Sequence, residues 1–273
     1  MRLFTFVFPL LFAVLAAVST ASADDVPLRI LVLKEHGVGS PTLAQPYLDR
    51  FVANAAQQNE WKDAKGQYYV TRTAAEQFIA THKPYYGILS LAAFLDFRIR
   101  HNLEVIGRVA VSLIGGQQYF LISKTATDLA GCKGRKLASD HTVDKRFIEK
   151  VVAGGAFQLA DFELVPTQRP LQTLKEVIAG NSDCALIDDA QLGELAKITG
   201  GANVKSVWSS DKLPPTVVVA FPNAPTLERQ RFQRNFTKVC ELDAKPACAE
   251  VGILSLDMAS AADYAAVVAA YGH

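Results

Sequence analysis

Four cysteines, five histidines and the run Ser139-Asp140-His141 are the groups in this 273-residue chain whose types could do chemistry. Their spacing matches no familiar catalytic pattern: GxSxG, HExxH, a Walker loop and a GxGxxG after a strand are all absent from the sequence. His36, His82, His101, His141 and His273 are scattered without ligand spacing, so neither a metal site nor a cofactor is expected. Adjacent residues on an extended segment point to opposite faces, so Ser139, Asp140 and His141 do not form a relay by themselves. A hydrolase using Ser139 or Ser90 with a histidine stays open only as an alternative.

The cysteine count is even and allows three pairings. Cys240 and Cys248 flank Lys245-Pro246-Ala247 and can close a small loop; Cys132 and Cys184 then form the second bridge. Each of the latter two precedes a short apolar segment, 136–138 and 185–187, which would put them at the same ends of neighbouring parallel strands. Bridges need an oxidising compartment, and the N-terminus supplies the route to one. Met1-Arg2, the apolar run Leu3 to Val18 and the small residues Ala21-Ser22-Ala23 read as a cleavable signal peptide, residues 1–23. The run is shorter than the roughly 20 residues of a spanning helix, so a soluble periplasmic product is expected.

Composition narrows the partners. With 28 Lys+Arg against 27 Asp+Glu, 50% hydrophobic residues and no block of like charges, the chain can bury a core and lacks the basic footprint of a nucleic-acid or anionic-membrane binder. A monomer taking a small-molecule ligand is expected.

The elements that must position these groups alternate. Leu28 to Leu33, Tyr68 to Thr71 and Tyr86 to Leu89 read as strands, with helical spacing over Leu43 to Ala56 and Ala74 to His82. After Gly115-Gly116 the pattern resumes with strands at Tyr119 to Ile122, Arg135 to Ser139, Phe162 to Val165 and Cys184 to Ile187, and helices at Val143 to Val152 and Leu171 to Ala179. A strand at Thr216 to Phe221 and helices over Thr226 to Leu242 and Ala261 to Ala270 end the chain. Such alternation predicts α/β units built on mainly parallel sheets with helices on both faces.

Four segments carry a family likeness. Lys175 to Leu192 (KEVIAGNSDCALIDDAQL) is similar to the helix, G-x-x-D-A-A and apolar strand in the second lobe of periplasmic solute-binding proteins of ABC importers, the PhnD-like group for phosphate, phosphite and phosphonate above all. Tyr85 to Leu95, Leu129 to Thr142 and Val251 to Val268 resemble other pieces of the same family, in the same order. The resemblance implies a two-lobed type II periplasmic binding protein with two hinge crossings, closing on its ligand and serving an ABC permease. Lobe 1 would span 24–116 and 216–273 and lobe 2 would span 117–215, with crossings at Gly115-Gly116 and near Pro214-Pro215.

Ligands in open α/β sheets bind at the carboxyl ends of strands. Within the implied cleft those ends nominate His36, Ser90, Gln118, Tyr119, Ser139, His141, Thr142 and Asp188 as ligand-binding residues. A helix N-terminus with hydroxyls suits an anion, making Ser139, His141 and Thr142 the natural seat of a small oxyanion or organophosphonate; Ser139 and Thr142 equally fit a plain capping role. This chain departs from the family where it matters. Asp140, Asp144, Asp188 and Asp189 stand near the seat, to be offset by Lys145, Arg146 or His141, and Leu89-Ser90-Leu91 replaces a frequent Gly-Pro. Those differences keep open a larger or more apolar solute, and a ligand-sensing protein without an importer.

Overall fold

The computed structural model describes residues 27–36, 41–111, 115–250 and 252–272. The expected signal peptide lies outside them. Among the described residues, eleven strands form two sheets. The first begins with β1 (Leu28–Leu33), α1 (Pro41–Asn59), β2 (Ala64–Tyr69), α2 (Arg72–His82), β3 (Tyr86–Leu89), α3 (Leu91–Arg100) and β4 (Glu104–Val111). The second holds β5 (Tyr119–Ser123), β6 (Lys136–Ser139), β7 (Glu163–Pro166), α4 (Pro170–Ala179), β8 (Cys184–Asp188), α5 (Asp189–Leu195) and β9 (Lys205–Ser209). The chain then rejoins the first sheet through β10 (Val217–Ala220), α6 (Thr226–Asn235), α7 (Lys245–Glu250), β11 (Ile253–Asp257) and α8 (Ala265–Tyr271). Each sheet with its helices is one lobe.

Both sheets are mixed rather than mainly parallel. In the first, ordered β11-β4-β10-β3-β1-β2, the β-α-β units β1, β2 and β3 pair parallel, while β10 runs antiparallel to β3 and β4, and β11 antiparallel to β4. In the second, ordered β7-β6-β8-β5-β9, β6 is parallel to β7 and β8, while β5 is antiparallel to β8 and β9. The antiparallel members are the strands that enter or leave a sheet across the gap between the lobes, where no crossover helix reverses the chain. They include β4 and β9, and these two go unmarked by local alternation, as does β11, which follows α7 within the first sheet. In β4 the interruption is Gly107, where a Cβ would overlap the Phe236 ring, so a glycine that looks like a breaker is a close approach.

Two expected helices are cut short. The segment after Thr226 stops at Asn235 and continues as short 3-10 turns at Thr237–Cys240 and Leu242–Ala244, with Leu242 at φ 49°, a left-handed backbone no helix continues through. The stretch 143–152 becomes helical only at Lys145 and widens into a π turn over Phe147–Val152. Thr71, read as part of β2, instead caps α2 by accepting from Ala74 N at 3.4 Å.

The crossing segments run side by side. Val109 N donates to Thr216 O, Leu213 N to Gln117 O and Ser210 N to Tyr119 O, at 2.9, 2.7 and 2.9 Å. A second link between lobes is α8, which packs on the π turn while Arg146 lies 4.8 Å over the Tyr271 ring. Both disulfides form as the spacing suggests, Cys132–Cys184 and Cys240–Cys248, with no free cysteine among the described residues. The first bridge pins β6 to β8, parallel neighbours in register at Leu137 and Cys184.

Sequence separations of 52 and 8 residues set unequal entropic effects. Opening Cys132–Cys184 by double serine substitution should cost about 4 kcal/mol and opening Cys240–Cys248 about 2.5 kcal/mol. Urea unfolding of the two variants measures the order, and a larger loss at Cys240–Cys248 would contradict it.

Candidate functional site: the cleft between the sheets

A cavity of about 820 Å³ lies between the sheets, lined from the first by residues such as Val32, Tyr47, Phe51, Ile88 and Leu91 and from the second by Tyr119, Val143, Phe147, Leu171 and Leu174. Its polar groups gather where β1, β6 and β8 end. Asp140 directly follows β6 and is 5% exposed. Thr173 of α4 donates to its Oδ1 at 2.9 Å, and Gln191 of α5 donates to the same oxygen at 3.1 Å. From the other sheet, His36 Nδ1 stands 3.4 Å from Oδ2, its ring centroid 4.3 Å from that of His141. His36 holds φ 58°, a left-handed conformation that non-glycine residues adopt at a cost.

Gln191 fixes the state of His141. Its Oε1 accepts from the Asp188 backbone N at 3.0 Å, so that atom is the carbonyl oxygen and the 2.8 Å contact with His141 Nε2 is an N–H donated by the imidazole. Burial, with the neighbouring His36 charge second, holds the His141 pKa below the ordinary imidazole value against the pull of Asp140 and Asp188. Burial alone would raise Asp140, but contact with His36, the charges of both histidines and the Thr173 hydroxyl outweigh it and keep the carboxyl well below the usual range. Tyr119, edge-on to His141 at 5.2 Å between centroids, is pushed well up by burial and then by Asp188, Asp189, Glu35 and Asp140, so it stays a phenol. Burial and then the Asp188 charge also raise Asp189.

A second cluster sits beside it. Arg72, the first residue of α2, donates bidentately to Glu35 at 2.9 and 3.0 Å and to Asp144 of the other lobe at 2.7 Å, with Asp96 at 3.3 Å. Burial would lower the Arg72 pKa, but Glu35 and Asp144 overcome that and raise it beyond the ordinary guanidinium value.

The expected site residues divide. His36, Ser90, Tyr119, His141 and Asp188 line the cavity; Gln118, Ser139 and Thr142 do not. Ser139 is fully buried, its Oγ donating to Leu186 O at 2.8 Å and accepting from His141 N at 3.0 Å. Gln118 donates to Ser210 O at 2.9 Å and ties the two crossings together. Neither Ser139 nor Thr142 caps the 145–152 segment. Asp144 does, its Oδ1 accepting from Phe147 N at 2.9 Å. Ser90 caps α3 through Ala93 N at 3.3 Å and donates to Glu35 Oε2 at 3.2 Å. Sequence spacing missed Arg72 and Gln191. The strand-end rule reaches Arg72 just beyond β2, and Asp188-x-x-Gln191 is a legible capping box, formed with 2.9 and 3.0 Å bonds.

The sequence matches no protein-family model and no curated protein. Solved structures do match. The binding protein of an ABC phosphonate transporter from Pseudomonas aeruginosa aligns with TM-score 0.65 over 89% of this chain and 85% of its own, at 15% identity. PhnD1 from Prochlorococcus marinus, in complex with methylphosphonate, gives 0.66 over 89% and 96% at 10% identity. A Xanthomonas citri protein bound to ATP gives 0.70 over 90% and 97% at 10% identity. The fold is that of a type II periplasmic binding protein. In that fold the cavity occupies the interlobe cleft, and its polar end mixes groups from both lobes.

The Gln191 amide holds four partners at once, His141, Asp188 N, Asp140 and Pro170 O, so replacing it with leucine strands buried donors on His141 and Asp188. Gln191→Leu should cost at least about 3 kcal/mol, against about 1 kcal/mol or less for Gln118→Ala. Denaturant midpoints of both variants give the comparison; equal losses would mean the network contributes no more than an ordinary hydrogen bond.

Proposed function

We propose that this chain is a periplasmic solute-binding protein that closes its lobes on a predominantly apolar small molecule and delivers it to an ABC permease. One observation carries the ligand class: the cleft is walled by apolar side chains, and Tyr47, Val143 and Leu171 stand 44, 89 and 51% exposed on its lining. The importer role rests on what the phosphonate-transporter neighbour is, and export on the N-terminal segment and two disulfides. In this reading lobe 1 spans 24–116 with 216–273 and lobe 2 spans 117–215, a division supported by the sheets that the described strands join, and the chain acts as a monomer.

Two observations weigh against a small oxyanion. The N-terminus of the 145–152 segment is occupied by Asp144, and Arg72 is shared by carboxylates. Glu35, Asp144, Asp188, Glu194 and Glu250 line the cleft against Lys34 and Arg72, a field that repels a dianion. Binding without catalysis is supported by the hydroxyls: Ser139 is bonded to backbone, and the carboxylate that accepts from Ser90, Glu35, is already held bidentately by Arg72.

An alkylphosphonate series from methyl to octyl separates the two ligand classes at constant headgroup. For the apolar reading, affinity by thermal shift should rise about fourfold per methylene, the factor of about 0.8 kcal/mol per buried CH₂. Val143→Asp with Leu171→Asp should flatten that series while leaving the unliganded melting point within a few degrees, and small-angle scattering should show compaction with the longer chains. Methylphosphonate or inorganic phosphate binding as tightly as the octyl compound would overturn the apolar reading in favour of the oxyanion.

A further inference from the structure

The polar end of the cleft holds ligating groups that an apolar solute does not use. His36, Asp140 and His141 each bring one donor atom to within 4.8 Å of the others. Such a cluster by itself makes no site, but Asp140 adds a separate observation. Its side chain is 3% exposed, and Oδ2, the oxygen facing His36, is buried with no hydrogen-bond partner. Its other oxygen is supplied by Thr173 and Gln191. The His36 Nδ1 contact at 3.4 Å makes an ion pair and no hydrogen bond, so this buried carboxylate oxygen still lacks the hydrogen bond that would restore its lost hydration.

The geometry points to a site for a divalent first-row transition ion, Zn²⁺ foremost, held by His36, Asp140 and His141 with a fourth position open to the cavity. Two imidazoles and one carboxylate suit such ions; Ca²⁺ and Mg²⁺ call for more oxygen ligands. The shell behind them is of the kind that orients metal ligands: Gln191 holds both His141 and Asp140, and Thr173 holds Asp140. Tetrahedral bonds of about 2.0–2.1 Å place donors about 3.4 Å apart, which the His36 to Asp140 distance of 3.4 Å already meets. His36 belongs to the first lobe and the other two to the second, so the ion ties the lobes together. Sequence spacing gives no hint of it, because His36 and His141 meet only when the lobes do.

The ion is titrated alone, so the outcome does not depend on which solute the cleft takes. Untagged protein stripped with a chelator is titrated with ZnCl₂ by calorimetry and with CoCl₂ in the visible range. One equivalent should bind, and Co²⁺ should show the d–d bands of a tetrahedral centre. His36→Asn keeps a residue type that tolerates the left-handed backbone and leaves the buried bonds of Asp140 intact. It should weaken Zn²⁺ binding at least about tenfold, or about 1.4 kcal/mol. His82→Ala and His101→Ala should leave it unchanged. Absence of saturable binding, or equal affinity in wild type and His36→Asn, would show an ordinary histidine–carboxylate contact and overturn the site.

Discussion

A carboxylate buried at the end of β6 is the constraint on which the cleft depends. Removing Asp140 from water costs several kcal/mol unless its oxygens are met by donors, and no single neighbouring element supplies them. Thr173 comes from α4 and Gln191 from α5, both bonded to Oδ1, while His36 from the opposite sheet brings its ring within ion-pair distance of Oδ2. Satisfying the carboxylate therefore fixes where two helices dock on the second sheet and where the β1 loop of the first must stand. The Cys132–Cys184 bridge fixes the other end of the same strands, so β6 and β8 are anchored at both ends and deliver Asp140 and Asp188 to one place.

Charge in the cleft follows from a second constraint. Arg72 is half-buried and meets Glu35, Asp96 and Asp144, so its charge is already spent within the protein. The hydroxyls and helix terminus that suit a phosphorus oxyanion are likewise committed: Ser139 to Leu186 and His141 backbone, the terminus to Asp144. What remains facing the cavity is apolar wall with a polar corner. A fold shared with phosphonate-binding proteins leaves room for a different ligand, because ligand choice resides in a few side chains at strand ends and not in the architecture.

How much of this is legible in the sequence depends on the range of the interaction. Strands buried on both faces, such as LRILVL and YGIL, announce themselves through local hydrophobicity, and their bounds at 28–33 and 86–89 match the structure. The disulfides are legible because an even cysteine count and a parallel pair leave little choice. β4 and β9 are not, since their stability comes from antiparallel neighbours far along the chain and their composition is mixed. The site is half legible for the same reason. Strand ends nominate His36, His141 and Asp188, but whether a nominated hydroxyl faces the cavity depends on a rotamer and a partner. Ser139 turns inward to Leu186, a contact 47 residues away that no local pattern encodes.

The energetics of closure join these threads. Across the gap the lobes are held by Arg72 to Asp144, His36 to Asp140 and Arg146 over Tyr271, three polar contacts each with a partly exposed partner. The paired crossings at Val109 to Thr216 and Tyr119 to Ser210 supply a hinge without fixing its angle. Contacts of this kind bias the closed arrangement by a few kcal/mol in total, which is also what burying about 100 Å² of apolar solute contributes. On the proposed reading a guest that touches both walls decides the equilibrium, since only differential affinity for the two arrangements shifts it. Stronger links between the lobes would close the cleft permanently, and weaker ones would leave binding energy to be spent on ordering the lobes; polar contacts of moderate strength around an apolar cavity place this protein between those limits.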